Sequence, residues 1–373
     1  MARQHSWIVP WLLGAAAALA ACAPSASPTA APATAAVPAK PAAATQPAAV
    51  AAAPAQDAPL NPPVSISVAL LRALSDAGVF VALEKGYFQE EGLTVDVITF
   101  GLPPDIMPAV MTGQVQAAGL SHTPGMFNAL SREVNMRIVA DKGQVSKGHG
   151  WAALGVRTDL ADEIKDFKDL KGRRIAMGQQ GSVVYFQLVR ALELGGLTVD
   201  DVEMVDLAFP DMLPALGSRA VDVATLLEPF IALGVAQNVI VRWKGMEEFM
   251  PWDAQNGMLV YSEKFTREQP EAARWFMVGY LRGVRAYLDA FEHGVDRDAV
   301  IASLANNTPV KDHGLYLRMA PVGFDPNGRV NVQALEADQE MSIRLGLHRD
   351  KVDLSKVVDH QYVDYAVARL GRR

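Results

Sequence analysis

Two ionisable side chains occupy matching positions in two related parts of the sequence. His122 lies in Ser121-His122-Thr123, directly after an apolar run, and Glu228 follows a second apolar run 106 residues later. An imidazole and a carboxylate placed at matching positions could each hydrogen-bond a polar edge of a small ligand. The sequence also allows His122 to cap a turn and Glu228 to pair with a nearby lysine or arginine.

A glycine-containing turn indicates a second kind of chemistry, the binding of an anion. The segment Gly178-Gln179-Gln180-Gly181-Ser182 follows a short apolar run and precedes a helical pattern. Free N–H groups and the helix dipole favour a negative charge at such a helix N-terminus. Gln180 lies in this turn, Gly181 would let a ligand approach the backbone, and Ser182 adds a hydroxyl. The alternative is a simple helix cap without a ligand.

The equivalent turn in the first part of the chain contains Ser75 and Asp76. Shortly before this turn, Arg72 ends an apolar run and could offer two parallel N–H groups to a sulfonate or a carboxylate. A surface role for Arg72 fits the sequence equally well. Arg72 and Ser75 are therefore included among the candidate ligand-binding residues.

Several aromatic residues could supply a partly apolar lining for such a site. Tyr185 lies in the helical pattern after the glycine-containing turn, Phe209 and Phe100 follow equivalent apolar runs, and Trp151 precedes a further run. Each of these residues alone could instead belong to a hydrophobic core. Together they favour a ligand with a hydrophobic or aromatic body over bare nitrate.

An internal repeat supplies the elements that must position these residues. The stretch from Pro104 to Val110, PDIMPAV, recurs 106 residues later as PDMLPAL, and Gly92 to Asp96, GLTVD, recurs identically 104 residues later. Two matches in the same order indicate one structural unit present twice. Asp105 and its counterpart Asp211 precede helical patterns and suit N-capping.

Each copy of the repeat alternates short apolar runs with helical patterns. This order predicts parallel strands covered by helices on both faces. The predicted fold class is α/β, with two Rossmann-like βαβαβ lobes joined by a hinge that the chain crosses twice. In such sheets ligands bind outside the carboxyl ends of the strands. Two similar lobes that present those ends to one another would form a binding cleft.

The N-terminal part of the chain predicts export and a membrane anchor. Residues 1–21 contain Arg3 and a short apolar run, as in a secretory signal peptide. They end in Leu-Ala-Ala before Cys22, which resembles a bacterial lipobox and indicates lipidation of Cys22. Residues 22–63 are mostly Ala, Pro, Ser and Thr and predict a disordered tether. The alternative is an ordinary signal peptide with an incidental cysteine.

Composition argues against several classes of function. The formal net charge of −7 and the absence of a basic run argue against nucleic acid as a partner. With one cysteine, the chain cannot form an internal disulfide framework, a Cys-ligated zinc site or an iron–sulfur cluster. Gly-x-Ser-x-Gly, His-Glu-x-x-His and P-loop motifs are absent from the sequence. We therefore expect no enzyme activity, no cofactor and no metal.

Three segments resemble a known family. Val81 to Phe88, Asp169 to Ala176 and the Glu228-Pro229 pair are similar to segments of the periplasmic solute-binding proteins for nitrate, sulfonates, taurine and thiamine-pyrimidine precursors. The resemblance implies a type II two-lobe binding protein that closes on its ligand by a hinge. It also implies delivery of the ligand to an ABC permease and ATPase complex, at the outer face of the cytoplasmic membrane.

The resemblance also sets the expected organisation of the chain. Lobe 1 is expected at 64–152 and 258–373 and lobe 2 at 153–257, with crossings near 151–156 and 257–261. The expected protein is a monomer that binds a sulfonate-like or a heteroaromatic, pyrimidine-like solute. A sensor for a membrane kinase is an alternative. A pyrimidine-forming enzyme on the same scaffold is a further alternative, although the chain lacks the cysteine-rich motif of that enzyme.

A long helix is predicted after the second crossing, from Pro270 to Phe291, because apolar residues recur there at helical spacing. Arg282, Arg285 and Asp289 form a polar stripe on this helix and are expected to be a solvated face, with a partner site as the alternative. The C-terminal section is expected to pack on lobe 1.

Overall fold

The computed structural model describes residues 58–100, 103–132, 135–251 and 253–373. The predicted signal peptide, the Cys22 lipidation site and nearly all of the predicted tether lie outside these residues. Within the described residues, no helix is both long enough and apolar enough to cross a membrane.

Two five-stranded sheets form the framework of the described chain, with strand orders β2-β1-β3-β10-β4 and β7-β6-β8-β5-β9. The ten strands are β1 (Val64–Leu70), β2 (Leu93–Thr99), β3 (Ala117–Leu120), β4 (Met136–Asp141), β5 (Ala152–Arg157), β6 (Arg174–Met177), β7 (Glu203–Asp206), β8 (Val223–Leu227), β9 (Ile240–Gly245) and β10 (Met258–Ser262).

The helices connect and cover these strands. They are α1 (Ala77–Glu84), α2 (Tyr87–Glu90), α3 (Pro103–Met111), α4 (Pro124–Arg132), α5 (Val183–Leu194), α6 (Phe209–Gly217), α7 (Phe230–Ala236), α8 (Met246–Phe249), α9 (Glu263–Glu268), α10 (Pro270–His293), α11 (Arg297–Asn307), α12 (His313–Tyr316), α13 (Val332–Arg344) and α14 (Gln361–Leu370). Short 3-10 helices lie at Leu74–Asp76, Thr158–Leu160, Phe167–Leu170, Val199–Asp201 and Leu354–Lys356.

The repeat in the sequence is a repeat in topology. In the first sheet β1 pairs in parallel with β2 and β3, and in the second sheet β6 pairs in parallel with β7 and β8. The PDIMPAV and PDMLPAL segments lie in α3 and α6, the helix between the second and third strands of each copy. Each sheet is then extended by an antiparallel strand, β10 in the first and β5 in the second. The predicted two-lobe α/β fold is confirmed.

The chain passes between the sheets twice, through residues 142–151 and residues 246–257. The stretches expected to be the crossings are instead strands: β5 lies wholly in the second sheet and β10 wholly in the first. Their apolar residues are buried in the sheets, because strands at these positions are covered on both faces. The crossing segments lie directly before these strands and are rich in Gly and polar residues.

The long predicted helix is α10, which packs lengthwise on α1 in the core of lobe 1. Small residues permit this close approach, since a Cβ at Gly283 would lie 2.0 Å from the Gly78 carbonyl oxygen. The polar stripe on α10 is not a solvated face. Arg285 is 6% exposed and donates to the carbonyl oxygens of Pro326, Leu370 and Gly371, so that it ties α10 to the C-terminus.

Candidate functional site

The carboxyl ends of β1, β3 and β4 share one edge of the first sheet with the start of β10, because β10 runs antiparallel to β3 and β4. The carboxyl ends of β6, β8 and β9 share an edge of the second sheet with the start of β5 for the same reason. Both crossing segments leave and enter at these edges. Side chains from the two edges therefore contact one another.

His122 lies at the end of β3 and is completely buried. Its Nε2 is 2.8 Å from Oδ2 of Asp338 on α13. Its ring is nearly parallel to that of Phe186 on α5 of lobe 2, with an interplanar angle of 4° and ring centroids 6.4 Å apart. Neither Nδ1 nor Nε2 makes a hydrogen bond of good geometry among the residues that the structure describes, although Nε2 lies within ion-pair distance of Asp338. His122 is thus a buried contact between the lobes.

A buried amide pair lies beside this contact. Nε2 of Gln187 on α5 donates to Oδ1 of Asn256 on the second crossing, at 3.1 Å. The two residues are only 2% and 3% exposed. The remaining amide atoms, Oε1 of Gln187 and Nδ2 of Asn256, have no partner within the described residues. Buried amide groups are normally paired, so these two atoms have hydrogen-bonding capacity left for a bound molecule or water.

A buried ion pair lies at this edge of the first sheet, in lobe 1. Nζ of Lys142 donates to Oδ1 of Asp76 at 2.7 Å and to Oγ of Ser75 at 2.8 Å. The backbone N–H of Ala73 donates to Oδ2 of Asp76. Gly119 leaves room for the pair, since a Cβ there would lie 2.8 Å from both Asp76 Oδ1 and Lys142 Cδ. Ser75, a candidate ligand-binding residue, is thus hydrogen-bonded to this pair.

Asp141 joins both crossings to the C-terminal section. Its carboxylate accepts the N–H of Gly143 on the first crossing, Nε2 of Gln255 on the second, and the N–H of Asp325. Complete burial raises the pKa of Asp141 to about 7 and outweighs these three hydrogen bonds, which favour the ionised form. This carboxyl group therefore links both crossing segments to the C-terminal section.

The raised pKa of Asp141 predicts a pH-dependent stability. Between the ordinary Asp pKa and about 7 the folded chain holds a proton that the unfolded chain has lost. Stability therefore falls as pH rises through this window, by about 1.4 kcal/mol per pH unit for one proton. Asp141→Asn is expected to remove this part of the pH dependence. The measurement is the free energy of unfolding in urea, determined at pH 5 and at pH 6.

The matched control for this measurement is Asp162→Asn. The hydrogen bond from Lys165 lowers the pKa of the exposed Asp162 carboxylate, so that it remains ionised throughout the window. Its replacement should leave the change of the free energy of unfolding between pH 5 and pH 6 as it is in the wild type. An Asp141→Asn variant with the wild-type slope would show that Asp141 is ionised in the folded chain at pH 5.

The glycine-containing turn of lobe 2 touches lobe 1. Gly181 has φ = +80°, and a Cβ on it would lie 2.7 Å from Cγ of Pro124, the first residue of α4. Ser182 caps α5, because its Oγ accepts the N–H of Tyr185 at 3.4 Å. Gln180 is exposed beside this contact. The turn therefore combines a helix cap with a contact between the lobes.

The other predicted residues are distributed around the two edges. Thr123 caps α4 by accepting the N–H of Met126, and Ser121 is exposed next to it. Arg72 is exposed, with φ = 61°, directly after β1. The structure places Tyr185 in the core of lobe 2, where it is 2% exposed. Phe209 is half-buried and stacks on Phe230.

Glu228 is a second link between lobe 2 and the C-terminal section. Its carboxylate accepts the N–H of Ala232 at 3.0 Å and the N–H of Ala320 at 3.2 Å. Burial raises the pKa of Glu228, against the opposing effects of these hydrogen bonds and of the Arg242 charge. Arg242 itself pairs with Glu247 at 2.6 Å. Backbone N–H groups thus hold Glu228 directly, whereas the predicted cationic partner acts on it only at longer range.

The C-terminal section packs on lobe 1 as expected, and α13 and the residues after it also contact lobe 2. Arg344 pairs with Glu193 of α5 at 2.7 Å, and Leu347 lies 3.7 Å from the Cβ position of Gly181. On the lobe 1 side, His348 stacks on Phe127 of α4. Amphipathic spacing identifies such a helix but does not reveal a second surface that it covers, so the contact of α13 with lobe 2 was not predicted.

Five residues of this region were missed by the sequence predictions. Lys142 directly follows β4, which ends at Asp141, and could have been found by extending the strand-end rule to this strand. Gln187 could have been noticed as a lone amide within an otherwise apolar helical face. The remaining three carried no local signal: Phe186, Asn256 and Asp338.

A groove of about 350 Å³ lies at the opposite edge of the first sheet, where β4 begins and β10 ends. Arg137 in this groove pairs with Glu263 at 3.1 Å, and Arg274 pairs with Glu271 at 2.8 Å. These cations are neutralised by neighbouring carboxylates. Within the described ranges, no group of three or more His, Cys, Asp or Glu side chains is arranged to hold a metal ion.

Two α/β lobes, two crossings and buried polar groups at the facing strand ends define a type II periplasmic binding protein fold. The NMT1/THI5-like family model matches residues 75–293, and the chain belongs to this family. The match covers the first lobe from α1 through β4, both crossings, the second lobe, β10 and all of α10.

Curated relatives are about a quarter identical to this chain over the aligned residues. The riboflavin-binding protein RibY of Chloroflexus aurantiacus is 24% identical over 229 residues, 59% of this chain and 61% of that protein. The chain thus spans less than two thirds of that relative. The taurine-binding periplasmic protein of Escherichia coli is 26% identical over 227 residues, 60% of this chain and 67% of that protein.

Solved structures share the fold at lower identity. The alkanesulfonate-binding protein SsuA of Xanthomonas axonopodis, bound to MOPS, has a TM-score of 0.62 at 18% identity and covers 80% of this chain and 99% of its own. The desulfurization enzyme DSZB has a TM-score of 0.58 at 18% identity and covers 82% of this chain and 99% of its own. The fold therefore occurs in both a binding protein and an enzyme.

Proposed function

We propose that this chain is the extracytoplasmic solute-binding component of an ABC importer, which captures a small organic solute between its two lobes. The observation that carries the proposal is the buried contact of His122 and Asn256 with Phe186 and Gln187, in which polar atoms from both lobes meet and remain unpaired. The relatives named for riboflavin and taurine binding support a solute-binding role. The expected partners are a permease and an ATPase.

Both predicted ligand classes have support. A sulfonate-like ligand is supported by the taurine-binding relative and by the alkanesulfonate-binding structure. A heteroaromatic ligand is supported by the riboflavin-binding relative and by the aromatic rings at the contact between the lobes. The candidate ligand-binding residues remain Arg72, Ser75, Ser121, His122, Thr123, Gln180, Gly181, Ser182, Tyr185, Phe209 and Glu228. We add Gln187 and Asn256.

The location follows from the N-terminal sequence. Lipidation of Cys22 would anchor the protein, and residues 22–63 would tether the lobes at the outer face of the membrane. A flexible tether of n residues reaches roughly 5–6 Å × √n, which leaves the lobes free to meet a permease. A monomer with lobe 1 at 64–152 and 258–373 and lobe 2 at 153–257 fits this arrangement.

The enzyme DSZB makes catalysis on this fold the second candidate. In binding, the ligand is recovered unchanged, whereas an enzyme converts it. The unpaired atoms of Gln187 and Asn256 can hold a ligand but are poor nucleophiles, whereas His122 beside Asp338 is the group at this contact that could transfer a proton, so recovery of the ligand unchanged is the result that favours binding over catalysis.

The proposal is tested on the mature chain with Cys22→Ser, so that the protein stays in solution. Native mass spectrometry is expected to show a bound small molecule that is released unchanged on denaturation. A ligand at 100 times its Kd adds about 2.7 kcal/mol of stability, which raises Tm by roughly 4 °C for a chain of this size. Riboflavin, uracil, taurine and methanesulfonate form the panel. The absence of any retained molecule and of any shift in Tm would refute the proposal, and turnover of a ligand would favour the enzyme.

A further inference from the structure

One face of helix α13 is anchored on lobe 1. Leu335 is completely buried in the lobe 1 core, together with Val352 and Leu354 of the segment that follows the helix. The Gln339 side chain joins the helix to that segment, because its amide bonds both the N–H and the carbonyl oxygen of Val352. A rotation of lobe 1 therefore carries α13 with it.

The C-terminal half of α13 and the loop after it lie on lobe 2. Met341, Leu345 and Leu347 are half-buried against the hydrophobic core of that lobe. Arg344 pairs with Glu193 of α5 at 2.7 Å. These contacts join an element that is anchored on lobe 1 to the surface of lobe 2. A rotation that separates the lobes must break them.

Between these two attachments, α13 passes over the ends of the strands. Oδ2 of Asp338 lies 2.8 Å from Nε2 of His122, which follows β3 in lobe 1. Cδ1 of Leu347 lies 3.7 Å from the Cβ position of Gly181, which precedes α5 in lobe 2. Residues 332–348 thus cross from one lobe to the other at the edges where the strands of both sheets end.

The loop after α13 is held in position by its own hydrogen bonds. Nδ1 of His348 is 2.8 Å from Oγ of Ser342, and both residues are buried. The N–H of Leu347 donates to the Ser342 carbonyl oxygen at 2.9 Å, around Gly346 with φ = +70°. A preformed loop loses little conformational entropy when it meets a surface, so its apolar contacts with lobe 2 contribute most of their stabilisation.

We propose that residues 332–348 form a latch that holds the two lobes together in the absence of a ligand. The chain itself makes every contact of the latch, so the contacts need no bound molecule. Those with lobe 2 exist only when the lobes are closed, and a contact present in one of two forms shifts the equilibrium towards that form. The latch therefore sets the fraction of molecules that are open to a solute, whichever solute the lobes capture.

The test measures the distance between the lobes in the mature chain. Cys22 is the single cysteine, so Cys22→Ser lets Asp105→Cys and Asp211→Cys carry the only two spin labels. Both positions are exposed and lie in the first turns of the equivalent helices α3 and α6. Each protein is first unfolded in urea, dialysed and refolded, which removes any retained small molecule. Double electron–electron resonance on this parent chain is expected to show mainly one short distance.

Truncating the latch should open the lobes. Leu345→Ala with Leu347→Ala removes apolar contact with lobe 2 and leaves the anchor at Leu335 unchanged. The ratio of closed to open molecules should fall at least about tenfold, because apolar area that is buried only in the closed form is lost. Val199→Ala with Val202→Ala is the matched control, since these valines pack on the same core but belong to lobe 2 itself. This control should lose stability in urea and keep the short distance.

A second variant acts at the surface and leaves the packing of the latch unchanged. Arg344→Glu places a carboxylate beside Glu193 and should lower the ratio of closed to open molecules about two- to fivefold at low salt. This shift should shrink in 1 M salt, where the Debye length is about 3 Å. A shift that salt does not reduce would contradict a repulsion between the latch and lobe 2.

Three further results would overturn the latch. These are a parent chain with mainly the long distance, a Leu345/Leu347 variant with the distances of the parent, and a Val199/Val202 control that opens as far as the leucine variant. In the last case, lost packing within lobe 2 would explain the opening. If the variants behave as expected and the protein captures no solute, the proposed function fails and the latch remains.

Discussion

Replacing Lys142 with methionine is expected to lower the free energy of unfolding by about 3–5 kcal/mol. The Lys142 side chain is 6% exposed and that of its partner Asp76 only 1%, so the remaining carboxylate cannot be reached by water. It would keep the N–H of Ala73 as a donor but lose its only cationic contact among the described residues. Urea unfolding of the wild type and Lys142→Met measures the difference.

The double variant Lys142→Met with Asp76→Leu serves as the internal test. Replacing both charges with apolar groups removes the buried carboxylate and should restore much of the lost stability. Lys165→Met is the surface control, since Lys165 and Asp162 are both well exposed and their pair should contribute nothing measurable. A Lys142→Met variant as stable as Lys165→Met would show that water reaches Asp76, contrary to its burial.

The fold was predictable because the repeat is encoded locally. Alternating apolar runs and helical patterns specify strands and helices, and two copies in the same order specify two sheets of the same topology. The antiparallel strands β5 and β10 were not predicted, because a short apolar run after a crossing does not show which sheet it joins. Their pairing depends on contacts between segments more than a hundred residues apart in the case of β10 and β3.

The site was only partly predictable for a similar reason. The 106-residue offset placed His122 and Glu228 at matching strand ends. In the structure each of them contacts a residue outside its own lobe. The offset could not identify Asn256 or Asp338, which reach the site from the second crossing and from α13. Alignment of the chain to itself can only find residues that both copies contain.

Arg285 shows where amphipathic spacing misleads. Arg282, Arg285 and Asp289 form a stripe, yet each has a structural partner: Arg282 pairs with Glu90 and Glu91, and Asp289 pairs with Arg373. Arginine can be buried when its N–H groups meet carbonyl oxygens at the ends of other segments. A polar stripe therefore predicts solvent only when no other segment covers it, and here α2 pairs with Arg282 while the C-terminal residues pair with Arg285 and Asp289.

Replacing Gly181 with alanine is expected to weaken ligand binding by about 10- to 100-fold. Alanine adds strain at φ = +80° whether the lobes are open or closed. Its Cβ would also lie 2.7 Å from Pro124 Cγ, but only when the turn of lobe 2 touches α4 of lobe 1. The clash thus disfavours the closed form specifically, and the apparent Kd rises as the population of that form falls.

Gly172→Ala separates these two effects. Gly172 also lies in lobe 2 with φ = +72°, but a Cβ there meets nothing within 4 Å. Both variants should lose similar stability without ligand, whereas only Gly181→Ala should lose affinity in calorimetric titration. Adding Pro124→Ala should recover part of the lost affinity, because it removes the atoms that clash. If Gly181→Ala bound ligand as tightly as Gly172→Ala, the contact between Gly181 and Pro124 would not belong to the ligand-bound form, and closure would proceed through other surfaces.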